Sequence, residues 1–298
     1  MGLEKQECFR SIGRFWPLKV FTKNLIMKAC VVIPVYTDQI GSFEQISMDQ
    51  CFRILANHDI YFIAPRRLEG FIRNHNYVLN HQAGYKLYDD QFFADIPAYN
   101  RLMKYHGLYA SFLAYDFMLI HQLDAFVFRD ELMDWCKKGY DNIGAPLFEG
   151  HDLAGTDSPL VSLGNGGFCL RKVRKCYEVV TKFKKLKFTR TFDDTNRPFY
   201  INFYRYIKHQ MVYIYAGYPF QPIINEDLFW SEVIPHNFPD FKLPTIGEAM
   251  KFSFEVNPEV LFELNHHKLP FGCHAWWKYN LAFWQKHINA YGYHIKVD

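Results

Sequence analysis

Short apolar runs alternate with helical periodicity in the first part of the chain. Ala29–Val35 and Asp59–Ala64 are apolar and rich in β-branched and aromatic residues, which predicts two buried strands, and Pro65 ends the second. Apolar residues at helical spacing lie between them: Met48, Cys51, Phe52 and Leu55. Two strands around one helix form a βαβ unit, so we expect a parallel pair with a right-handed crossover.

The pattern continues to a polar interruption that singles out one carboxylate. A third strand is predicted near Gly84–Tyr88, then a helix over about residues 99–113, then a buried strand at Phe117–His121. Gln122 and Asp124 interrupt the apolar run that follows. A buried carboxylate is costly unless it is paired or bound to metal, and open α/β sheets bind ligands at strand ends. Asp124 therefore marks either a site or a hydrogen-bonded structural aspartate.

The second half of the chain is less regular. Gly167–Arg171 predicts a strand that leads into an amphipathic helix, and further strands are predicted near Tyr213–Ala216 and Phe252–Val256. The proline-punctuated stretches 217–224 and 234–244 predict loops. The fold class predicted from this pattern is α/β, as a single domain with a mainly parallel, Rossmann-like central sheet and an irregular second half.

Composition narrows the classes of protein. The 298 residues contain no Ser/Gly/Pro-rich linker and no internal repeat, which favours one domain. Residues 1–28 hold neither a signal-peptide core nor a span of transmembrane length. Seven cysteines without C-x-x-C spacing predict reduced thiols rather than a zinc site, and hence a cytoplasmic protein. The aromatic content of 18% is typical of chains that line carbohydrate or nucleotide clefts.

The charge is small overall but uneven. A net charge of +3 gives no argument for nucleic-acid binding. Between Arg171 and Arg190, however, there are nine Lys or Arg residues and one acid, Glu178. A solvated helix face is the commoner explanation of such a segment. Peripheral contact with the anionic inner face of a membrane, or with a phosphate-bearing acceptor, is the alternative.

Four motifs follow one another along the chain and carry a family resemblance. They are Q-x-D-A-F at Gln122–Phe126, G-N-G-G-F at Gly164–Phe168, N-E-D at Asn225–Asp227 and F-G-C-H-A-W at Phe271–Trp276. Together they resemble a family of bacterial and viral GT-A-type glycosyltransferases with little characterised function. The resemblance runs from about Ala29 to Trp284 and covers nearly the whole chain.

The resemblance implies an organisation and a reaction. Residues 1–28 would be an N-terminal extension to one GT-A-like domain over 29–298, with a nucleotide-binding half at 29–130 and an acceptor half at 131–298. The implied activity is transfer of a sugar from a nucleoside-diphosphate sugar, with UDP-sugar favoured, to a hydroxyl of a glycan or lipid-linked acceptor. The implied cofactor is Mn²⁺ or Mg²⁺, and no nucleic-acid partner is expected.

The metal site is implied by the D-x-D position of GT-A enzymes, where a divalent cation stabilises the departing diphosphate. Asp124 takes the position of the metal ligand. Gln122 replaces the first acid of the motif, so it offers hydrogen bonds to the donor but no charge. By the same resemblance His274 completes the metal shell, and an imidazole suits Mn²⁺ better than Mg²⁺.

The resemblance also implies an inverting transfer, in which a carboxylate deprotonates the acceptor hydroxyl. Asp227 takes the position of this base, and Glu226 would bind the acceptor or hold the loop. Asn225 is the predicted N-cap of the helix that they begin. Acids in a first helical turn also interact well with the helix dipole, so ordinary capping chemistry is the alternative explanation of both.

The remaining expectations concern the donor. The implied donor-binding residues are Tyr36, Thr37, Asp38, Lys104, Gln122, Asn165, Gly166 and Gly167. Tyr36 would stack on the nucleobase, Thr37 and Asp38 would bond the ribose or ring edge, and Lys104 would reach the diphosphate. The glycines allow the backbone to approach a sugar closely or to take positive φ, and a simple turn is the alternative.

Two other classes of protein fit parts of the pattern. A non-catalytic carbohydrate- or nucleotide-sugar-binding protein agrees with the aromatic excess and with the uncharged Gln122. A nucleotidyltransferase would share the early βαβ unit, but it should carry a glycine-rich loop with a basic residue after the first strand. Here that place is Tyr36–Gly41, which is acidic and almost free of glycine.

Overall fold

The computed structural model of the chain describes residues 27–164, 166–183, 197–216 and 225–296. The strands are β1 Ala29–Pro34, β2 Asp59–Pro65, β3 Ala83–Tyr88, β4 Phe117–His121, β5 Phe126–Val127, β6 Asn142–Ile143, β7 Pro146–Phe148, β8 Leu160–Leu163, β9 Phe168–Lys172, β10 Ser253–Phe254 and β11 Gly272–Cys273. The α-helices are α1 Ser42–Ile54, α2 Glu69–Arg73, α3 Asn76–Leu79, α4 Ile96–Leu102, α5 His106–Ala110, α6 Leu132–Lys138, α7 Val173–Phe183, α8 Phe199–Ala216, α9 Glu226–Leu228, α10 Ile234–Asn237, α11 Ile246–Phe252, α12 Pro258–Leu264 and α13 Leu281–Asn289. A π-helical turn, Phe229–Val233, joins α9 to α10, and 3₁₀ turns lie at Arg66–Leu68, Asp90–Phe93 and His151–Leu153.

The central sheet has six strands in the order β3-β2-β1-β4-β9-β6. The four strands β3, β2, β1 and β4 are parallel, and β9 runs antiparallel to both β4 and β6. Val31 of β1 pairs with Ile60 on one side and with Leu119 on the other. The predicted adjacency of the first, second and fourth strands is therefore confirmed, as is the predicted α/β fold class with its mainly parallel sheet.

Apolar residues cover both faces of this sheet. Alternate residues of β1 point to opposite sides, so Val31 packs on the side of α1, while Val32 packs on the side of α5. A third apolar cluster includes Phe126, Trp276 and Trp284. It surrounds a small three-stranded sheet, β10-β11-β5, whose strands come from both halves of the chain. This small sheet brings the last motif beside the residues that follow β4.

Several local predictions are wrong, and each has a physical reason. Tyr213–Ala216 forms the last turn of the long helix α8 rather than a strand, because four apolar residues fit either period. The helix predicted over 99–113 is two helices, with a break between Leu102 and His106. The loop predicted at 234–244 begins with α10, where Pro235 lies in the first turn and needs no N–H partner.

The basic segment lies only partly inside the described residues. Its helix α7 is confirmed, and Val173, Cys176, Val180 and Phe183 are buried on its inner face. Residues 184–190 and the loop predicted at 217–224 lie outside the described residues. Membrane contact through this segment stays a prediction.

The six described cysteines are free and buried, which agrees with the expectation of reduced thiols, and Cys8 lies outside the described residues. Within the ranges given above, no helix is both long enough and apolar enough to cross a bilayer. The extension at 1–28 and the division of the domain at residue 130 stay predictions.

Candidate functional site

A pocket of about 490 Å³ opens where β1 and β4 end. Tyr36 follows β1 and Gln122 follows β4, and both line the pocket together with Asp227 and His274. Because parallel strands present their carboxyl ends at one sheet edge, this is the expected place for a ligand in an open α/β sheet. The structure thus gathers side chains from three of the four motifs.

The centre of the site is the imidazole of His274, which is held between two carboxylates. Its Nε2 lies 3.0 Å from Oδ1 of Asp124 and 3.3 Å from Oε1 of Gln122. Its Nδ1 lies 2.7 Å from Oε1 of Glu255. Asp124 itself is in the turn after β4 rather than in the strand.

The electrostatics of this group follow from burial and from the two acids. Burial acts to lower the pKa of His274, but Asp124 and Glu255 outweigh it and raise the pKa to about 10. Burial acts to raise the pKa of Asp124, but His274 holds it below its usual value. Without a bound cation, His274 and Asp124 are therefore both charged at neutral pH.

The donor set fits a divalent cation beside Asp124. A cation would have to displace the Nε2 proton of His274; the Nδ1–H bond to Glu255 would then leave the Nε2 lone pair facing the Asp124 carboxylate and the Gln122 amide oxygen. One carboxylate oxygen, one imidazole nitrogen and one amide oxygen suit Mn²⁺. In the part of the chain that the structure describes, no three His, Cys, Asp or Glu side chains are arranged to hold a metal by themselves. Diphosphate oxygens and water would have to supply the other ligands.

Two of the three glycines of the second motif, Gly166 and Gly167, give room to site side chains. A Cβ on Gly166 would lie 1.4 Å from Oε1 of Glu226, and a Cβ on Gly167 would lie 1.9 Å from Nε2 of His274. Neither glycine has positive φ, so that alternative is wrong. The carbonyl of Gly167 also accepts a 2.8 Å hydrogen bond from the N–H of Gln122. Both glycines line the pocket, and the predicted close approach of their backbone to a sugar stays a prediction.

The carboxyl of Asp227 lines the pocket at the start of α9. Burial, and then the neighbouring charge of Glu226, raise its pKa to about 6, although the N–H of Leu228 opposes the shift. A carboxylate with this pKa is mostly ionised at pH 7 and is a stronger base than an ordinary aspartate. Asn225 is the N-cap by position, but its side chain makes no capping bond and instead accepts one from Asn100 at 3.3 Å.

The neighbouring acid has a different environment. Glu226 is almost fully buried, and its Oε2 accepts a hydrogen bond from the buried guanidinium of Arg171. Of the two roles predicted for Glu226, this contact favours holding the loop over binding an acceptor.

Of the residues predicted to bind the donor, some line the pocket and others do not. Tyr36 lines the pocket, and its ring meets Phe93 and Tyr99 edge-on at 6.0 and 5.5 Å. Thr37 and Asp38 are exposed after β1 and are not among the lining residues. Lys104 is also absent from the lining.

Lys104 is buried against the ring of Phe229 at 5.5 Å, and burial lowers its pKa to about 8. Its side chain is close enough to Glu226 and Asp227 to interact with their charges, and its contact with a diphosphate stays a prediction. Asn165 lies outside the described residues.

Sequence reasoning missed two charged members of the site, Glu255 and Arg171. Each lies in or beside a short apolar run, at Phe252–Val256 and Gly167–Arg171. The rule that singled out Asp124, a charge inside an apolar run, applies to Glu255, whereas Arg171 ends its run and is followed by Lys172. The rule would therefore have found Glu255 from the sequence, but not Arg171.

The sequence matches the family described as "Protein of unknown function (DUF5672)" over residues 82–274, which is more than half of the chain. That stretch contains Gln122, Asp124, Asp227 and His274. The family description names no activity, which agrees with the expectation of a family of largely unknown function. No curated protein matches the sequence.

Among solved structures, the glycosyltransferase GlyE of Streptococcus pneumoniae TIGR4 in its apo form is similar at 16% identity and a TM-score of 0.44. The match covers 90% of this chain and 63% of that one, so this chain spans less than two thirds of its length. Mouse xyloside xylosyltransferase 1 is similar at 11% identity and a TM-score of 0.41, over 83% of this chain and 97% of that one.

A 4-diphosphocytidyl-2C-methyl-D-erythritol synthase from Anaerococcus prevotii DSM 20548 is similar at 11% identity and a TM-score of 0.36. It covers 54% of this chain and 77% of its own. At TM-scores below 0.5, none of these likenesses assigns an activity to this chain.

Proposed function

We propose that this chain, which belongs to the DUF5672 family of proteins of unknown function, is a glycosyltransferase. It moves a sugar from a nucleoside-diphosphate sugar, with a UDP-sugar favoured, to a hydroxyl of a glycan or lipid-linked acceptor. One observation carries the proposal. The carboxyl of Asp227, which is suited to act as a base, lines the same strand-end pocket as His274, and Nε2 of His274 lies 3.0 Å from Oδ1 of Asp124.

The reaction uses the two sides of this pocket differently. Asp227 accepts the proton of the acceptor hydroxyl as that oxygen attacks the anomeric carbon, and attack opposite the departing diphosphate inverts the configuration. At neutral pH the carboxyl is ready for this role because its pKa of about 6 leaves it mostly ionised. Gln122 and the ring of Tyr36 orient the donor from the strand ends.

Asp124 and His274 would hold Mn²⁺ or Mg²⁺, which acts as a Lewis acid and offsets the charge that develops on the diphosphate. Glu255 fixes the imidazole of His274 through its Nδ1. Asp95, Asp227 and Glu255 also line the pocket, so an anionic donor without its cation would meet carboxylates. A cation is therefore needed for tight donor binding.

The metal site is tested by titrating UDP into the protein with and without Mn²⁺ by calorimetry. We expect Mn²⁺ to tighten UDP binding in the wild type, and Asp124→Asn to remove about 10–100-fold of that gain while leaving the thermal midpoint nearly unchanged. His274→Ala should lose less, because diphosphate and water can fill the vacated position.

The matched control is Asp134→Asn, since this aspartate lies on the exposed side of α6 in a surface pair with Lys137. Its metal-stimulated affinity should equal that of the wild type. Unchanged metal stimulation in Asp124→Asn would show that Asp124 is a structural aspartate. A protein that binds the donor with Mn²⁺ but never releases nucleotide would instead be the non-catalytic binding protein.

A further inference from the structure

A buried guanidinium lies directly beneath the acid turn of the site. Arg171, near the end of β9, is 1% exposed. Its Nη1 donates to the hydroxyl of Tyr109 at 2.9 Å, its Nε donates to Oδ1 of Asn142 at 3.3 Å, and its Nη2 donates to Glu226. Its Cζ lies 5.3 Å from the ring centroid of Trp230. This arginine therefore joins two strands of the sheet, helix α5 and the helical run that begins at Glu226.

Glu226 has little freedom to do anything else. Its side chain is 5% exposed, and its Oε2 is bonded to Arg171. Its Oε1 lies against Gly166, in the space that a side chain at that position would fill. Turning this carboxylate toward an acceptor would break its bond to Arg171. Its neighbour Asp227 also lines the pocket, and its carboxyl has no ion pair with Arg171; Oδ1 accepts the N–H of Leu228 at 2.8 Å.

Stability alone does not account for this pair. Two buried charges lose their hydration, and an apolar pair of similar size often stabilises a fold as well or better. A bidentate, geometrically strict donor such as arginine is instead suited to fixing a position. The position that it fixes is that of the turn at 225–228, which has no capping bond of its own from the side chain of Asn225.

We propose that Arg171 and Glu226 are positioning residues whose ion pair anchors the acid turn to the sheet and so aims the carboxyl of Asp227 into the pocket. This inference rests on the proposed function, in which Asp227 is the base. Arg171 does not line the pocket, and Glu226 lines it as the chain neighbour of Asp227 and makes no contact with Asp124 or His274. Loss of the pair should therefore lower turnover and leave the binding of UDP and Mn²⁺ nearly unchanged.

The test uses the full chain and the double variant Arg171→Met with Glu226→Leu, which removes both charges and leaves neither one unpaired. We expect kcat with a UDP-sugar to fall about 10²-fold, as small misplacements of a reacting group do, with the UDP affinity in Mn²⁺ within twofold of the wild type. The conservative variant Arg171→Lys should recover part of kcat. The control removes an exposed pair of α6, Asp134→Leu with Lys137→Met, and should leave kcat unchanged.

A second readout needs no turnover. The carboxyl of Asp227 can be titrated by carbon-detected NMR, with Asp227→Asn to assign the signal. The charged groups that act on it are Glu226, Glu255 and Lys104. In the double variant we expect its midpoint to move from about 6 toward the ordinary value of about 4, because the carboxyl gains water and loses the charge of Glu226.

The outcomes separate this inference from the proposed function. Wild-type kcat in the double variant overturns the positioning role, and so does an equal loss of kcat and UDP affinity, which a general structural defect would give. If the wild type transfers no sugar, the proposed function fails, and the NMR titration still decides. The midpoint should fall further in the double variant than in Glu226→Gln, which removes the same charge but keeps an acceptor for Arg171; equal midpoints overturn the anchor.

Discussion

Replacing Gly167 by alanine tests whether the second motif exists to make room for His274. The new Cβ would lie 1.9 Å from Nε2 and 2.1 Å from Cδ2 of the imidazole, where ordinary contacts are 3.4–4 Å. The imidazole cannot rotate away freely, because its Nδ1 is bonded to Glu255. The backbone N–H of His274 also donates to the carbonyl of Phe254, which fixes the main chain at this residue. The imidazole or the strand end must therefore shift by about 1.5 Å.

A displacement of about 1 Å at a reacting or ligating group typically costs about 10²-fold. We expect Gly167→Ala to weaken Mn²⁺-dependent UDP binding by about this factor, measured by calorimetry, with Mn²⁺ binding alone followed by electron paramagnetic resonance. Gly247→Ala is the matched control, because its Cβ would meet nothing within 4 Å in the first turn of α11. Wild-type Mn²⁺ binding in Gly167→Ala would refute the placement of His274 against the glycine.

Three further predictions concern acidity, thiols and the core. Because the pKa of Asp227 is raised to about 6 and only its ionised form accepts a proton, kcat/KM should fall about tenfold per pH unit below 6; an unshifted aspartate would keep nearly full activity at pH 5. Burial raises the pKa of the Cys51 and Cys176 thiols, so Ellman's reagent should modify none of the six described cysteines before unfolding; rapid reaction of any of them contradicts their burial. Leu119→Ala, in the buried strand β4, should cost about 2–5 kcal/mol in urea unfolding, whereas Leu264→Ala, which is half exposed, should cost less than about 1 kcal/mol.

The central sheet was predictable because its strands carry strong local signals. Ala29–Val35 and Asp59–Ala64 are continuous apolar runs around an amphipathic helix, and this pattern admits few arrangements besides a parallel pair. The errors fall where the signal is short. Tyr213–Ala216 is apolar over too few residues to separate a strand from the end of helix α8.

The site was predictable in its members but not in its contacts. Asp124 and His274 were named from separate motifs, and the structure brings them to 3.0 Å. No local sequence pattern links Glu255 to His274 or Arg171 to Glu226, because each contact joins residues that are distant in the sequence. The first is made beside the small sheet, and the second joins β9 to the start of α9. Likewise, the burial of Lys104 depends on Phe229, from a distant helical turn.

The most direct test of the proposed transfer is ¹H NMR of the anomeric proton during incubation with an α-linked UDP-sugar and Mn²⁺. The reaction is followed with water alone and with added glycan acceptors, for the wild type and for Asp227→Asn. The proposed function predicts that the wild type releases UDP and first forms a β-configured sugar product, and that Asp227→Asn keeps UDP binding but loses about 10²–10⁴ in rate. A product with the donor's α configuration, or an unchanged rate in Asp227→Asn, would contradict it.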